Sequence, residues 1–121
     1  SLQMVTGIYS LNLSGLTSGN LKPLVECREL MTLNLTDARI KPTVLDEWLI
    51  AIVERYGNRR NCKVTLTAVP TGTYQEPARN ADTGRYNITS GMEAIWVITH
   101  EESWNEGGKW KFIINDKEYS V

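Results

Sequence analysis

His100-Glu101-Glu102 sets the only histidine of this 121-residue chain beside two carboxylates, side chains that elsewhere move protons or hold metal ions. The spacing supports neither use. A helical zinc site of the H-E-x-x-H kind needs a second histidine, no cysteine lies near, and no nucleophile with an activating base assembles from local sequence. The three residues read as the solvated end of a helix, and Gly107-Gly108 turns the chain without forming a phosphate-cradling motif. No catalytic residue, metal ligand or cofactor is assigned. A hydrolase built on His100 with an acidic partner is the remote alternative.

The remaining polar chemistry is that of recognition. Aligned on their leucines, three segments place Ser10, Thr32 and Lys63 in one outward row, Asn12, Asn34 and Thr65 in a second, and Ser14, Thr36 and Thr67 in a third. Such a surface offers donors and acceptors with almost no charge to desolvate, which suits sugar hydroxyls or the polar backbone of a protein. Exposed strand positions also favour threonine, and side chains in a ladder bond one another, so ordinary sheet surface is the simpler reading of the rows and a binding face the alternative. Tyr74, Arg79, Arg85 and Tyr86 are residue types enriched among interface anchors, and they are equally able to pin a loop onto its own domain. Trp104, in a polar run, either closes the end of the core or stacks on a sugar ring. Three N-x-[ST] matches, at Asn12, Asn34 and Asn87, are of a kind expected by chance.

The elements that position these residues follow from a phrase written twice. Leu30-Met31-Thr32-Leu33-Asn34-Leu35-Thr36-Asp37-Ala38-Arg39-Ile40 echoes Ile8-Tyr9-Ser10-Leu11-Asn12-Leu13-Ser14-Gly15-Leu16, with Leu33 lying 22 positions after Leu11. Self-similarity at a fixed interval indicates stacked repeats, each too small to bury its apolar side alone. As strands, the two copies turn Leu11 and Leu13, then Leu33 and Leu35, inward. A third, Lys63-Val64-Thr65-Leu66-Thr67, sits 31 residues further on. The interval is longer because a helix from about Thr43 to Tyr56 intervenes, with Leu45, Trp48, Leu49, Ile52, Val53 and Tyr56 on its buried face and Asp46, Glu47, Glu54 and Arg55 toward solvent. Pro42 and the Thr43 to Asp46 spacing supply a start signal, Gly57 a stop. A short helical or 3₁₀ segment carries Leu21, Leu24 and Val25 inward between the first two strands. Strands joined by helical crossovers imply a parallel sheet.

Residues 70–87, rich in Gly, Pro, Asn, Asp, Thr and Arg, predict a long surface loop. Ser90-Gly91-Met92-Glu93 has capping-box spacing, with Met92, Ile95, Trp96 and Thr99 along one helical face; residues 95–99 also suit a strand by side-chain type. Trp110, Phe112 and Ile114 alternate with Lys111 and Ile113 as a final strand. Trp48, Trp96 and Trp110 are predicted to lie in the core.

Length and composition frame these elements as one domain over residues 1–121, with a repeat core at 7–69, the loop at 70–87 and a terminal helix and strand unit at 90–115. A formal charge of −1 gives no general attraction for phosphate backbones or anionic lipid, so nucleic acid is not an expected partner. No apolar stretch reaches the roughly 18 residues that would cross a bilayer, and no membrane insertion is expected. Cys27 sits about four residues off Cys62 along the strand axis, at roughly 3.3 Å per residue, beyond disulfide reach unless the chain folds back. The serine at position 1 reads as the start of a processed or excised segment, for which contacts with a parent chain or neighbouring subunit are expected.

Leu30 to Ile40 resembles the leucine-rich-repeat signature L-x-x-L-x-L-x-x-N-x-L at every leucine-type position, with Ala38 where that family usually has asparagine, which implies a different turn. The first copy matches from Ile8 to Leu13, and the third keeps only Val64 and Leu66. The last third, with Ser90-Gly91-Met92-Glu93-Ala94-Ile95-Trp96 and an aromatic strand, looks like the terminal unit of short leucine-rich-repeat-like modules of Bacteroides-type surface proteins and their phage tail proteins. The resemblance implies an irregular α/β stack of about four mainly parallel strands with helices on one face. It also implies a non-catalytic, extracellular, cell-surface or virion module that binds a protein or glycan, or alternatively a capping or spacer segment of a larger repeat protein.

Overall fold

The alternation of the repeated phrase is realised as a parallel sheet. The computed structural model describes residues 10–15, 21, 30–55, 62–102, 105 and 108–120. Strands β1 (Ser10–Asn12), β2 (Thr32–Leu35) and β3 (Lys63–Leu66) lie side by side and parallel. The register is the one the alignment predicts: Leu11 pairs with Leu33 and Leu33 with Val64, while Asn12 pairs with Asn34 and Asn34 with Thr65.

Each copy ends in a turn encoded by its own polar residues. Asn12 Oδ1 accepts from the Ser14 amide at 3.0 Å, and Asn34 Oδ1 accepts from the Thr36 amide at 2.9 Å and the Thr36 hydroxyl at 2.5 Å. The chain then passes through positive φ at the equivalent positions Gly15 (77°) and Asp37 (60°), which glycine adopts freely and aspartate tolerates better than most residues.

Helix α1 (Pro42–Arg55) follows β2. Proline suits its first position because its fixed φ matches the helix and its missing N–H would have had no partner there. Leu45, Trp48, Leu49 and Ile52 are buried at the predicted spacing, with Val53 half-buried. Asp46 departs from its expected solvent position. It is half-buried and ties the next loop to the second helix, so it does not serve as the partner of Thr43 in a capping box.

The segment 70–87 is not an irregular loop throughout. It contains an antiparallel pair, β4 (Ala78–Arg79) and β5 (Tyr86–Asn87), closed by a turn in which Asn80 Oδ1 accepts from the Asp82 and Thr83 amides. Helix α2 (Gly91–His100) then takes the helical alternative at 95–99, because Ser90 caps it by accepting from the Glu93 amide. Strand β6 (Lys111–Ile114) pairs parallel with β3 and buries Phe112 and Ile114.

The expected four strands are five. Asn115 and Asp116, at φ 48° and 68°, form the two-residue hairpin turn that returns the chain as β7 (Lys117–Tyr119), antiparallel to β6. Left-handed conformation at both central residues is what a type I′ turn requires. The sheet order is β1-β2-β3-β6-β7, a mixed α/β architecture with a mostly parallel sheet and two helices among the described residues.

One core joins the sheet to the helices. Leu33, Leu35, Val64, Leu66, Phe112 and Ile114 meet Leu45, Leu49 and Ile52 of α1 and Ile95 and Ile98 of α2 in a single buried cluster, each full burial contributing roughly 1.5–3 kcal/mol relative to exposure. Leu21, Ala38 and Ile40 join it, as do Trp48 and Trp110. Trp96 does not; it is half-buried on the outer side of α2. Leu24, Val25, Cys27, Tyr56, Gly57 and Trp104 lie outside the described residues, and Cys62 is buried with its thiol donating to the Lys63 carbonyl at 3.7 Å.

Candidate functional site

Two surfaces bring together the residues singled out above. The first is the sheet face opposite the helices, where Ser10, Thr32, Lys63 and Lys111 share one row and Asn12, Asn34, Thr65 and Ile113 the next. It is less available than the alignment suggested. The acceptor oxygens of Asn12 and Asn34 and the Thr36 hydroxyl are engaged in the strand-end turns, and the Thr67 hydroxyl accepts from the Asp37 amide at 2.9 Å. Ile113 interrupts the second row, and Lys111 pairs with Glu118 at 3.5 Å. Ser10, Thr32 and Lys63 are exposed, and Thr65 is half-buried.

The second surface is built by the 70–87 segment together with α2 and β7. Tyr74, Arg79 and Tyr86 meet there, whereas Arg85 stays exposed on the hairpin. Arg79 lies over the Tyr86 ring at 4.0 Å and donates to the Tyr86 hydroxyl at 2.5 Å and to the Gly84 carbonyl at 3.0 Å, a cation–π contact that stiffens the hairpin. Tyr86 meets Trp96 edge-on at 6.3 Å, Trp96 stacks on His100 at 3.9 Å with 9° between the rings, and His100 tilts toward Tyr74 at 5.9 Å. Tyr74 meets Tyr119 of β7 at 4.9 Å, and Lys117 lies 5.1 Å over the Tyr119 ring. Five rings thus form one row, with a cation at each end.

None of these rings is fully buried. Sequence reasoning found Tyr74, Arg79 and Tyr86 by residue type and missed Trp96, Tyr119 and Lys117. The signal available for Trp96 was its place beside His100 on the helix, four residues earlier and therefore on the same face. For Tyr119 it was the Asn115-Asp116 hairpin turn.

At the Tyr119 end of the row lies an open groove of about 500 Å³, walled by Tyr74 and Tyr119, floored by Met92 and Val69, and rimmed by Lys117 and Glu118. Its wall is held from three directions. Asp46 accepts from the Thr71 amide at 2.9 Å, the Thr71 hydroxyl at 2.6 Å and the Gly91 amide at 3.1 Å. The Met92 amide donates to the Thr71 carbonyl at 3.0 Å. The Thr99 hydroxyl donates to the Ile95 carbonyl at 2.9 Å, so at 2.8 Å the Tyr74 hydroxyl donates to Thr99.

Two glycines are obligatory in this corner. A Cβ on Gly72, at φ +90°, would lie 2.1 Å from Ser90 Oγ, and one on Gly91 would lie 2.4 Å from Asp46 Oδ1.

Glu93 anchors the start of α2. Burial opposes its ionisation, but hydrogen bonds from the Thr89 hydroxyl and amide and from Ser90 and Gln75 outweigh that cost, holding its carboxyl below the ordinary value. The capping box is therefore displaced by one residue, since Glu93 reaches the Thr89 amide instead of that of Ser90.

His100 is an exposed helix-end residue, as predicted. Its Nδ1 donates to the Trp96 carbonyl at 2.8 Å, which leaves Nε2 as the ring nitrogen turned to other partners. No group of three or more His, Cys, Asp or Glu side chains among the described residues converges as a metal site, and no helix among them is long and apolar enough to cross a membrane. The chain matches no protein-family model, no curated protein and no solved structure.

Proposed function

We propose that this chain is a non-catalytic recognition module, built as a short leucine-rich-repeat-like stack, that binds a protein or glycan. The observation that carries the reading is the ring row Tyr119, Tyr74, His100, Trp96 and Tyr86, partly open to solvent and bracketed by Lys117 and Arg79. Aromatic and arginine side chains give large, stiff contact area at low entropic cost, which is why they dominate binding hot spots. The polar strand face, with Ser10, Thr32 and Thr65, supplies a second hydrogen-bonding surface. An extracellular, cell-surface or virion setting accords with such a role. The test is a glycan array together with a pull-down using the intact chain, each repeated with Trp96→Ala. Specific binding that falls with the variant supports the module, and two blank experiments at high protein concentration overturn it.

A structural spacer within a larger repeat protein is the second reading, favoured by β1, the edge of the sheet among the described residues, beside which Leu11 and Leu13 are half-buried while their counterparts Leu33 and Leu35 are buried. Edge strands that lack a neighbour tend to pair with other chains. Sedimentation equilibrium separates the readings: concentration-dependent self-association supports the spacer, a monomer the complete module.

A further inference from the structure

We propose that the outer edge of β7 is a docking strand for a partner protein, which lays an extended segment along it with an acidic and an apolar side chain two residues apart, the acid on Lys117 and the apolar group in the groove beside Tyr119. The inference rests on the recognition reading above and, of its two ligand classes, assigns the protein and its mode of attachment.

The main chain carries the first part of the argument. β7 is the last strand of the sheet and pairs with β6 alone among the described residues. Ile114 and Lys117 flank the two-residue turn and exchange both main-chain bonds, as the pair closing such a turn does, so the next pair, Ile113 and Glu118, exchanges none. The Glu118 N–H and C=O therefore point away from β6. They take no partner among the described residues, and an open donor and acceptor at a sheet edge are what an added strand satisfies.

The groove runs along that edge. Tyr74 and Tyr119 close on each other with centroids 4.9 Å apart, so its open space lies outside their contact, between β7 and the stretch from Val69 to Tyr74, with Met92 of α2 beneath. All three residues of β7 line it, although alternation turns the Glu118 side chain to the far face of the sheet, where it pairs with Lys111 at 3.5 Å. What Glu118 lends the groove is its main chain. Val69, 50% exposed, adds an open aliphatic patch, and covering it releases apolar surface from water. Asp46 and the Thr71 to Met92 bond fix the far wall, so little ordering opposes binding.

Charge names the occupant. Lys117 lies on the helix side of the sheet, 5.1 Å over the Tyr119 ring, with no carboxylate at ion-pair distance among the described residues. Because Glu118 is committed to Lys111 behind the sheet, the groove presents one cation and no open anion, which an acidic side chain complements. Residues two apart on an extended segment face the same way, so an acid on Lys117 sets the side chain two positions along against Tyr119 and Val69. A second copy of β7 does not supply this pattern, since on that face it brings another lysine and tyrosine and no acid.

The experiment selects phage-displayed random heptapeptides on the intact chain and measures the synthetic winners by fluorescence anisotropy and hydrogen exchange. Expected are peptides with aspartate or glutamate two positions from an aliphatic or aromatic residue, slowed exchange at the Glu118 amide on binding, and affinity that falls about tenfold or more in Lys117→Glu and returns when lysine replaces the acid of the peptide. The restored binding also shows that the variant is folded. N-methylation costs affinity at alternate peptide positions only, those whose amides face β7. Peptides that bind the parent chain and Lys117→Glu equally, with no protection at Glu118, overturn the docking edge while leaving the recognition reading intact. Dimerisation that protects the same amide assigns the edge to a second copy and overturns the partner segment. A library that yields no binder overturns the proposal, and the glycan array and pull-down then decide the recognition reading separately.

Discussion

Asp46 Oδ1 accepts the Gly91 amide at 3.1 Å across 45 residues of chain, and the same oxygen accepts the Thr71 amide at 2.9 Å. One carboxylate on α1 therefore fixes both the start of α2 and the wall of the groove.

Asp46→Ala removes all three acceptor contacts. Hydrogen bonds to charged groups contribute about 1.5–3 kcal/mol each, with strong overlap when one group makes several, so a loss of about 3 kcal/mol is expected in denaturant unfolding. Asp46→Asn keeps one oxygen for the two amides and loses about 1 kcal/mol. Hydrogen exchange at the Thr71 and Gly91 amides accelerates in the alanine variant; unchanged protection there would refute the hub.

Gly91→Ala reverses the usual expectation for helices. Alanine is favoured over glycine by about 1 kcal/mol in a helix interior, yet here its Cβ meets Asp46 Oδ1 at 2.4 Å and Pro70 Cβ at 2.6 Å. A net loss of about 1–3 kcal/mol follows, the usual range for forced overpacking. A stabilised variant in thermal unfolding would contradict the close approach.

Glu93 makes stability depend on acid in a definite sense. Its native carboxyl lies below the ordinary value, so its contribution is fully present above the unfolded-state value of about 4.3 and is lost as pH falls through the lower native value. Glu93→Gln is expected to be less stable at neutral pH and to show a flatter acid limb, read from unfolding midpoints taken across that range.

Asn34→Ala leaves the Thr36 amide and hydroxyl without their shared acceptor. The cost is about 1 kcal/mol, a fall in Tm of roughly 5 °C for a domain of this size. Asn12→Ala costs less, because the Asn12 turn is exposed and water replaces the lost acceptor. Equal effects at the two sites would count against that ranking.

Tyr74→Phe removes only the hydroxyl bond to Thr99, which keeps its own bond to the Ile95 carbonyl. A loss of about 0.5–1.5 kcal/mol is expected in the same unfolding assay, with the ring stack retained.

Sheet register was legible from residue types because strand alternation is local: Leu11, Leu33 and Val64 carry the same apolar-in pattern, and a one-residue slip would have exposed every one of them. The helix at Pro42–Arg55 was legible for the same reason, since its period of 3.6 is written in Leu45, Trp48, Leu49 and Ile52. The fifth strand was encoded too, in Asn115-Asp116, though no third turn of alternation followed to announce it.

The aromatic row was not legible. Tyr74 and Tyr119 stand 45 positions apart with no shared period, and they meet only because the segment after β3 is tied down by Asp46 while β7 folds back along β6. The amino-acid sequence alone determined the rungs, their polarity and the turns that end them, since each depends on neighbours within a few residues. Tertiary structure decided which polar atoms were already engaged and which aromatic rings came into contact, because those outcomes depend on packing between segments that carry no common pattern.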